Sequence, residues 1–226
     1  MRYYLYLILF LLVACNTKKQ DTKMEAELPP FWNDIQNFKK QDSVSAPPQH
    51  AILFIGSSSF TKWKDVQDYF PGYTIINRGF GGSTLEDLVR YSNDIVFPYD
   101  PKQIIIYCGE NDLASSDTVT AAMVVDRFRQ LYKMIREKTQ VPIAYISMKP
   151  SPSRRHLFAK MREANMAIMD FMSHQDPGTA TYIDVHWKML NTAGEPIPEI
   201  YLDDSLHMNA KGYAIWKTAI EPYLIK

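Results

Sequence analysis

AILFIGSSS, residues 51–59, is an unbroken apolar run that stops at a glycine and continues into three serines. Such a short run with β-branched members predicts a strand over 51–55 buried on both faces, the kind found in parallel sheets. A serine just past its end is lifted above the sheet edge. The next stretch, FTKWKDVQDYF at 60–70, has helix-like apolar spacing, so the N–H groups around Ser58 are expected to face the mouth of a site and favour negative charge there. A Gly/Ser turn between a strand and a helix explains the same residues equally well.

The same pattern recurs outward from this stretch. YTIIN at 73–77 predicts a second strand, followed by RGFGGST, where Gly79, Gly81 and Gly82 allow close backbone approach or positive φ. QIIIYC at 103–108 predicts a third, ending at GEND, which stands Asn111 and its two amide donors on the same edge as Ser58. Further strands are expected at 142–147 and 181–184. Apolar spacing predicts crossover helices over 119–139 and 154–174. Strands alternating with helices imply one parallel sheet covered on both faces, with ligands at the carboxyl ends of its strands.

YLDDSLHMNAKGYAIW, residues 201–216, puts His207 in a loop ahead of a closing helix and beside the acidic pair Asp203 and Asp204. An imidazole next to a carboxylate is a candidate base. His50, His156, His174 and His186 have no comparable context and are assigned no role.

GSS, then NRGFGGST, then GEND, then DxxH resembles, in order, the four blocks of the SGNH or GDSL-type hydrolase superfamily, from about residue 52 to the C-terminus. The resemblance implies a three-layer α/β/α sandwich, flavodoxin-like, around a parallel sheet of about five strands. It implies Ser58 as nucleophile, with Asp204 and His207 completing a triad. Gly82 and Asn111 would join the Ser58 backbone N–H as the oxyanion hole, and neither a metal nor an organic cofactor would be needed. Where the first block usually carries Asp, this chain has Ser57, so Ser57 and Ser59 are the alternative nucleophiles; Asp203 is the alternative acid. The implied activity is a serine esterase that removes short acyl groups, acetyl foremost, from carbohydrate. Alternatives are a lysophospholipid or other lipid acylhydrolase, and a glycan-binding lipoprotein without turnover.

At the start of the chain, Arg2 precedes an apolar run over 3–13, shorter than the roughly 20 residues that span a bilayer. Leu12, Val13, Ala14 and Cys15 look like a bacterial lipobox. Residues 1–14 are therefore expected to be a lipoprotein signal peptide, Cys15 the lipidated residue, 15–30 a polar tether and 31–226 the hydrolase domain. An exported, membrane-anchored location follows. Cys108, the other cysteine, is expected to be an inert buried thiol.

The 25 basic and 25 acidic residues cancel, which gives no argument for a nucleic-acid partner. Locally, Lys149, Arg154, Arg155 and Lys160 gather after the fourth strand and are expected to form a solvated loop and helix start, the other reading being a contact to phosphate or uronate on the substrate. Phe80, set between glycines, is a candidate to stack on a sugar ring, and Trp63, Trp187 and Trp216 are expected in packing.

Overall fold

The computed structural model describes residues 28–226, so the expected signal peptide, Cys15 and most of the expected tether lie outside the described residues. Five strands form one sheet: β1 (Ile52–Gly56), β2 (Ile75–Gly79), β3 (Gln103–Tyr107), β4 (Ile143–Ile146) and β5 (Ala180–Ile183). All pairs are parallel, in the order β2-β1-β3-β4-β5. Each expected strand is present within a residue or two of its expected bounds.

Strand pleating splits the core in two. Leu53 and Ile55 of β1 and Ile104 and Ile106 of β3 face one layer, with Ile35 of α1 (Trp32–Val44), Leu88 of α4 (Leu85–Ile95), Phe128 of α6 (Ala121–Arg136) and Ile168 of α7 (Phe158–Ser173). Ile52, Phe54, Ile105 and Tyr107 face the other, with Phe60 of α2 (Ser58–Thr61), Val66 of α3 (Val66–Tyr69) and Trp216 of α8 (Ala210–Ile220). Continuous apolar strands are what burial on both faces requires. The chain leaves β1 toward β2 and then crosses back to β3, so β1 and β3 flank the point where the winding reverses. In such sheets that crevice is where ligands bind. The turn that follows β3 leads into α5 (Glu110–Ser115), which opens on the GEND residues.

Several helices depart from expectation. The expected helix over 60–70 is two short ones, α2 and α3, because the Asn77 amide donates to the Phe60 carbonyl at 2.7 Å and the Trp63 carbonyl at 3.4 Å, acceptors a continuing helix would have used itself. Phe60, Trp63 and Phe70 are thereby turned inward onto Phe54. The expected helix over 119–139 is α6, begun two residues later because the Thr120 hydroxyl caps the Met123 N–H at 3.2 Å. The expected helix over 154–174 opens instead with a 3-10 turn, Pro152–Leu157, before α7. Three α-helices were not expected: the short α5, α4, whose Thr84 and Asp87 form a reciprocal capping box, and α1, tied to the sheet edge by Asp42. Asp42 accepts from Arg78 and, at 2.6 Å, from the Tyr99 hydroxyl. Burial beside that carboxylate pushes the Tyr99 phenol up to about 12. Among the described residues, no helix is long and apolar enough to cross a membrane.

Candidate active site

Gly56 ends β1 at φ 151°, where an added Cβ would lie 2.0 Å from the Tyr107 carbonyl oxygen; only glycine lets the chain leave the strand this close to β3. Ser57 donates its N–H to that carbonyl at 3.1 Å, and its own carbonyl accepts from Phe60 and Thr61. Ser57 and Ser59 are buried, whereas Ser58 is partly exposed. The Ser58 hydroxyl is the one that meets an imidazole, with Oγ 2.9 Å from His207 Nε2.

His207 arrives on a tight turn. An isolated bridge pairs Tyr201 with Met208, and the Leu202 N–H donates to the His207 carbonyl at 2.7 Å. Ser205 adopts φ 54° to close the turn. Asp204 Oδ1 accepts the N–H groups of Leu206 and His207, both at 2.9 Å, while Oδ2 lies 2.6 Å from His207 Nδ1. A carboxylate only accepts, so Nδ1 carries the proton and Nε2 offers its lone pair to the serine hydroxyl. Burial alone would raise the Asp204 pKa, but the bonds from the His207 ring and from two backbone N–H groups outweigh it and hold the carboxyl well below its usual range. Asp204 is thus held in its ionised form beside the imidazole. Asp203 is exposed and makes none of these contacts.

The loop between β2 and α4 is stitched to the end of β1. The Gly56 carbonyl accepts from the Phe80 N–H at 2.9 Å and the Ser83 hydroxyl at 3.2 Å, and a Cβ added to Gly81 would come within 3.9 Å of the Ser58 Cβ. Gly82 sits at φ 90°, a conformation other residues rarely adopt. Among the described residues, neither its N–H nor that of Ser58 donates to another group, leaving both backbone donors uncommitted. Asn111, on the first turn of α5, has a fixed amide: Nδ2 donates to the Ser83 carbonyl at 3.1 Å, and Oδ1 accepts from Arg154 Nη2 at 3.4 Å. Exchanging oxygen and nitrogen would face carbonyl to carbonyl and amide to guanidinium. One Nδ2 proton therefore remains for a ligand.

Beneath Asn111 lies a network absent from the sequence reading. Glu110 accepts from Lys149 at 2.8 Å, Tyr107 at 2.6 Å and Ser151 at 3.3 Å, and both ions are almost wholly enclosed, with Lys149 only 2% exposed. Desolvation would raise the Glu110 pKa; Lys149 and the hydroxyl donors prevail and hold it below the ordinary value. Asp112, fully buried, accepts from the Leu85 N–H and from Arg127, and burial nonetheless raises its pKa. No local pattern in GEND distinguishes a buried Glu110 from a solvated one, since its partner lies 39 positions away.

Three expectations are corrected here. Phe80 is fully buried, edge-on to Phe31 at 5.3 Å, and has no face free for a sugar. Trp187 is 61% exposed rather than packed, because it follows the buried His186 on a turn whose next inward residue is Met189. Lys149 does not belong to a solvated loop, since it is sealed against Glu110. Trp63 and Trp216 do lie in the core, and burial pushes the Cys108 thiol far above its usual range, as expected of an inert cysteine. His50, His156 and His174 are exposed, and His186 bonds the Met148 carbonyl at 2.9 Å. Among the described residues, no group of three or more His, Cys, Asp or Glu side chains is arranged to hold a metal ion.

Sheet, crevice and Ser–His–Asp alignment together have the form of a serine hydrolase. Residues 42–215 match the GDSL-like lipase/acylhydrolase family, and the chain belongs to it as a carboxylic ester hydrolase. Similar solved structures include a GDSL-like lipase from Bacteroides thetaiotaomicron (16% identity, 83% of this chain and 95% of that one, TM-score 0.69). The lipase/acylhydrolase from Enterococcus faecalis is similar at 20% identity over 77% and 96% of the two chains, TM-score 0.61. An acetylxylan esterase from Geobacillus stearothermophilus is similar at 14% identity over 79% and 96%, TM-score 0.62. No curated protein matches the chain by sequence.

Proposed function

We propose that this chain is an exported lipoprotein esterase in which Ser58 attacks short acyl esters, acetyl foremost, borne by carbohydrate. The observation that carries the chemistry is the aligned pair of contacts at His207, 2.9 Å to Ser58 and 2.6 Å to Asp204. His207 Nε2 takes the Ser58 proton as Oγ bonds to the ester carbonyl carbon, since a hydroxyl is a poor nucleophile without a base. Asp204 holds the imidazole tautomer and stabilises the imidazolium. The N–H groups of Ser58 and Gly82 and the Asn111 amide receive the oxyanion. Nε2 then protonates the leaving alcohol, and water, deprotonated by the same nitrogen, releases the acid and restores Ser58.

The carbohydrate assignment draws on the likeness to an acetylxylan esterase and on the lipobox-like Leu12 to Cys15, which suits a glycan-processing protein at a membrane surface. Hydrolysis of p-nitrophenyl acetate, butyrate and octanoate tests it, with Ser58→Ala and His207→Ala alongside. Acetate is expected to be preferred, and either substitution is expected to lower kcat on the order of 10⁶-fold. A preference for octanoate would move the substrate to lipid esters, and turnover surviving both substitutions would overturn the site. For the anchor, mass spectrometry of the membrane fraction should find a diacylated Cys15 that Cys15→Ala abolishes.

A further inference from the structure

Of the four cations Lys149, Arg154, Arg155 and Lys160 that follow β4, three are committed. Lys149 is sealed against Glu110, Arg155 pairs with Glu195 at the surface, and Lys160 donates to the carbonyls of Asp117 and Val119, both at 2.8 Å. Arg154 differs. Among the described residues it enters no ion pair, its one side-chain partner is the neutral oxygen of Asn111, and its Nη1 is shielded from solvent with no acceptor. The Arg154 charge is felt at the nearby Glu110 carboxylate, whose pKa it helps to lower, but the two form no ion pair, and Glu110 is already bonded to Lys149, Tyr107 and Ser151.

Its position is fixed from two sides. Asn111 holds one edge of the guanidinium, and the preceding residue, Ser153, donates its N–H to the Ser205 carbonyl at 3.1 Å, inside the turn that carries Asp204 and His207. Arg154 is therefore tied on one side to the Asn111 amide and, through its neighbour Ser153, on the other to the turn that carries His207. A half-buried, permanently charged group with an idle donor is costly unless a ligand completes it. The guanidinium fork matches the paired oxygens of an oxyacid.

We propose that Arg154 receives an anionic group, a carboxylate or a phosphate, carried by the substrate beside the ester that Ser58 attacks. This rests on the hydrolase reading above and narrows its substrate to acidic esters. An acidic glycan would supply a uronate, and a glycerophospholipid a phosphate.

Two measurements test it. In the first, kcat/KM is compared for acetylated galacturonate oligomers, acetylated xylo-oligosaccharides and an acyl glycerophosphate, in the native protein, Arg154→Met and Arg154→Lys. One acidic substrate should be preferred over the neutral one, and Arg154→Met should lower that preference about 10- to 100-fold, chiefly through KM. Any loss transmitted through Asn111 affects all substrates alike and cancels in the ratio. Arg154→Lys should restore part of the preference, and added salt should erode it in the native protein. A ratio unchanged by Arg154→Met would overturn the proposal. The second measurement does not depend on turnover: calorimetric titration of galacturonate and of glycerol phosphate into Ser58→Ala protein. Binding of one of them that Arg154→Met removes supports the proposal and tells the two sources apart; binding of neither overturns it. No Ser58-dependent hydrolysis of any substrate would instead count against the hydrolase reading, with the titration still deciding the role of Arg154.

Discussion

The two halves of the site are built by different means. Ser58 and Asn111 stand on the ends of strands whose every residue is buried, with Asn111 set between the enclosed Glu110 and Asp112. Asp204 and His207 stand on a surface turn, Asp204 still 46% exposed, held mainly by hydrogen bonds spanning a few residues, with one longer tie from the Ser153 N–H to the Ser205 carbonyl. The first half is positioned by the core, the second by its own local geometry. Damage to the first should therefore unsettle the fold, whereas damage to the second should stop the chemistry and leave the fold intact.

The largest expected effect that separates them is Asp204→Asn. The retained Oδ1 still accepts from Leu206 and His207, so the turn should survive with its melting temperature nearly unchanged. The new amide would donate toward Nδ1 and favour the wrong tautomer, lowering kcat about 10⁴-fold. Stopped-assay kinetics together with a thermal melt check both parts, and a large fall in stability would show that the turn depends on more than its hydrogen bonds.

Glu110→Gln probes the buried half. It leaves the Lys149 charge without its counter-ion, which should destabilise the protein by about 3–5 kcal/mol in a urea titration. Replacing both partners, Glu110→Gln with Lys149→Met, should recover part of that. The pH dependence has a definite sign. Because Lys149 and the hydroxyl donors hold the folded-state pKa of Glu110 below that of a free glutamate, the pair's contribution is fully present above the unfolded value and is lost as pH falls through the depressed folded one. The native protein should thus lose stability on acidification more steeply than the Gln variant.

A smaller effect is expected of Asn111→Ala, about 10²- to 10³-fold in kcat with little change in KM, as for the removal of one oxyanion donor. Smallest of all, Arg155→Ala removes an exposed pair with Glu195 and should cost about 1 kcal/mol or less.

The same division explains what was legible in the sequence. Strands β1 and β3 read directly from their apolar runs, and the GSSS, GEND and DDSLH stretches sit at the ends of elements that the runs define. Asp204 and His207 are three positions apart, so their turn is short-range information. What escaped is long-range: Asn77 capturing the carbonyls of Phe60 and Trp63, Glu110 meeting Lys149, and Ser153 reaching Ser205. Helix α4 was a different kind of omission, since the Thr84–Asp87 capping box and the spacing of Leu85, Leu88 and Ile95 were visible in the sequence. The resemblance already implied Ser58 as the nucleophile, with Ser57 and Ser59 as alternatives, and burial and the imidazole contact set Ser58 apart from both.

Phe31 lies edge-on to Phe80 and within ordinary contact distance of where a Cβ on Gly82 would stand, and the Pro30 carbonyl accepts from the Tyr91 hydroxyl at 2.7 Å. The segment that enters the domain is thus a wall of the loop carrying Gly82, and the lower limit for trimming the protein is set by function as well as by folding. A form that starts at residue 32 or later would uncover Phe80 and loosen the backbone donor beside Ser58, so it could keep its sheet and still lose its rate.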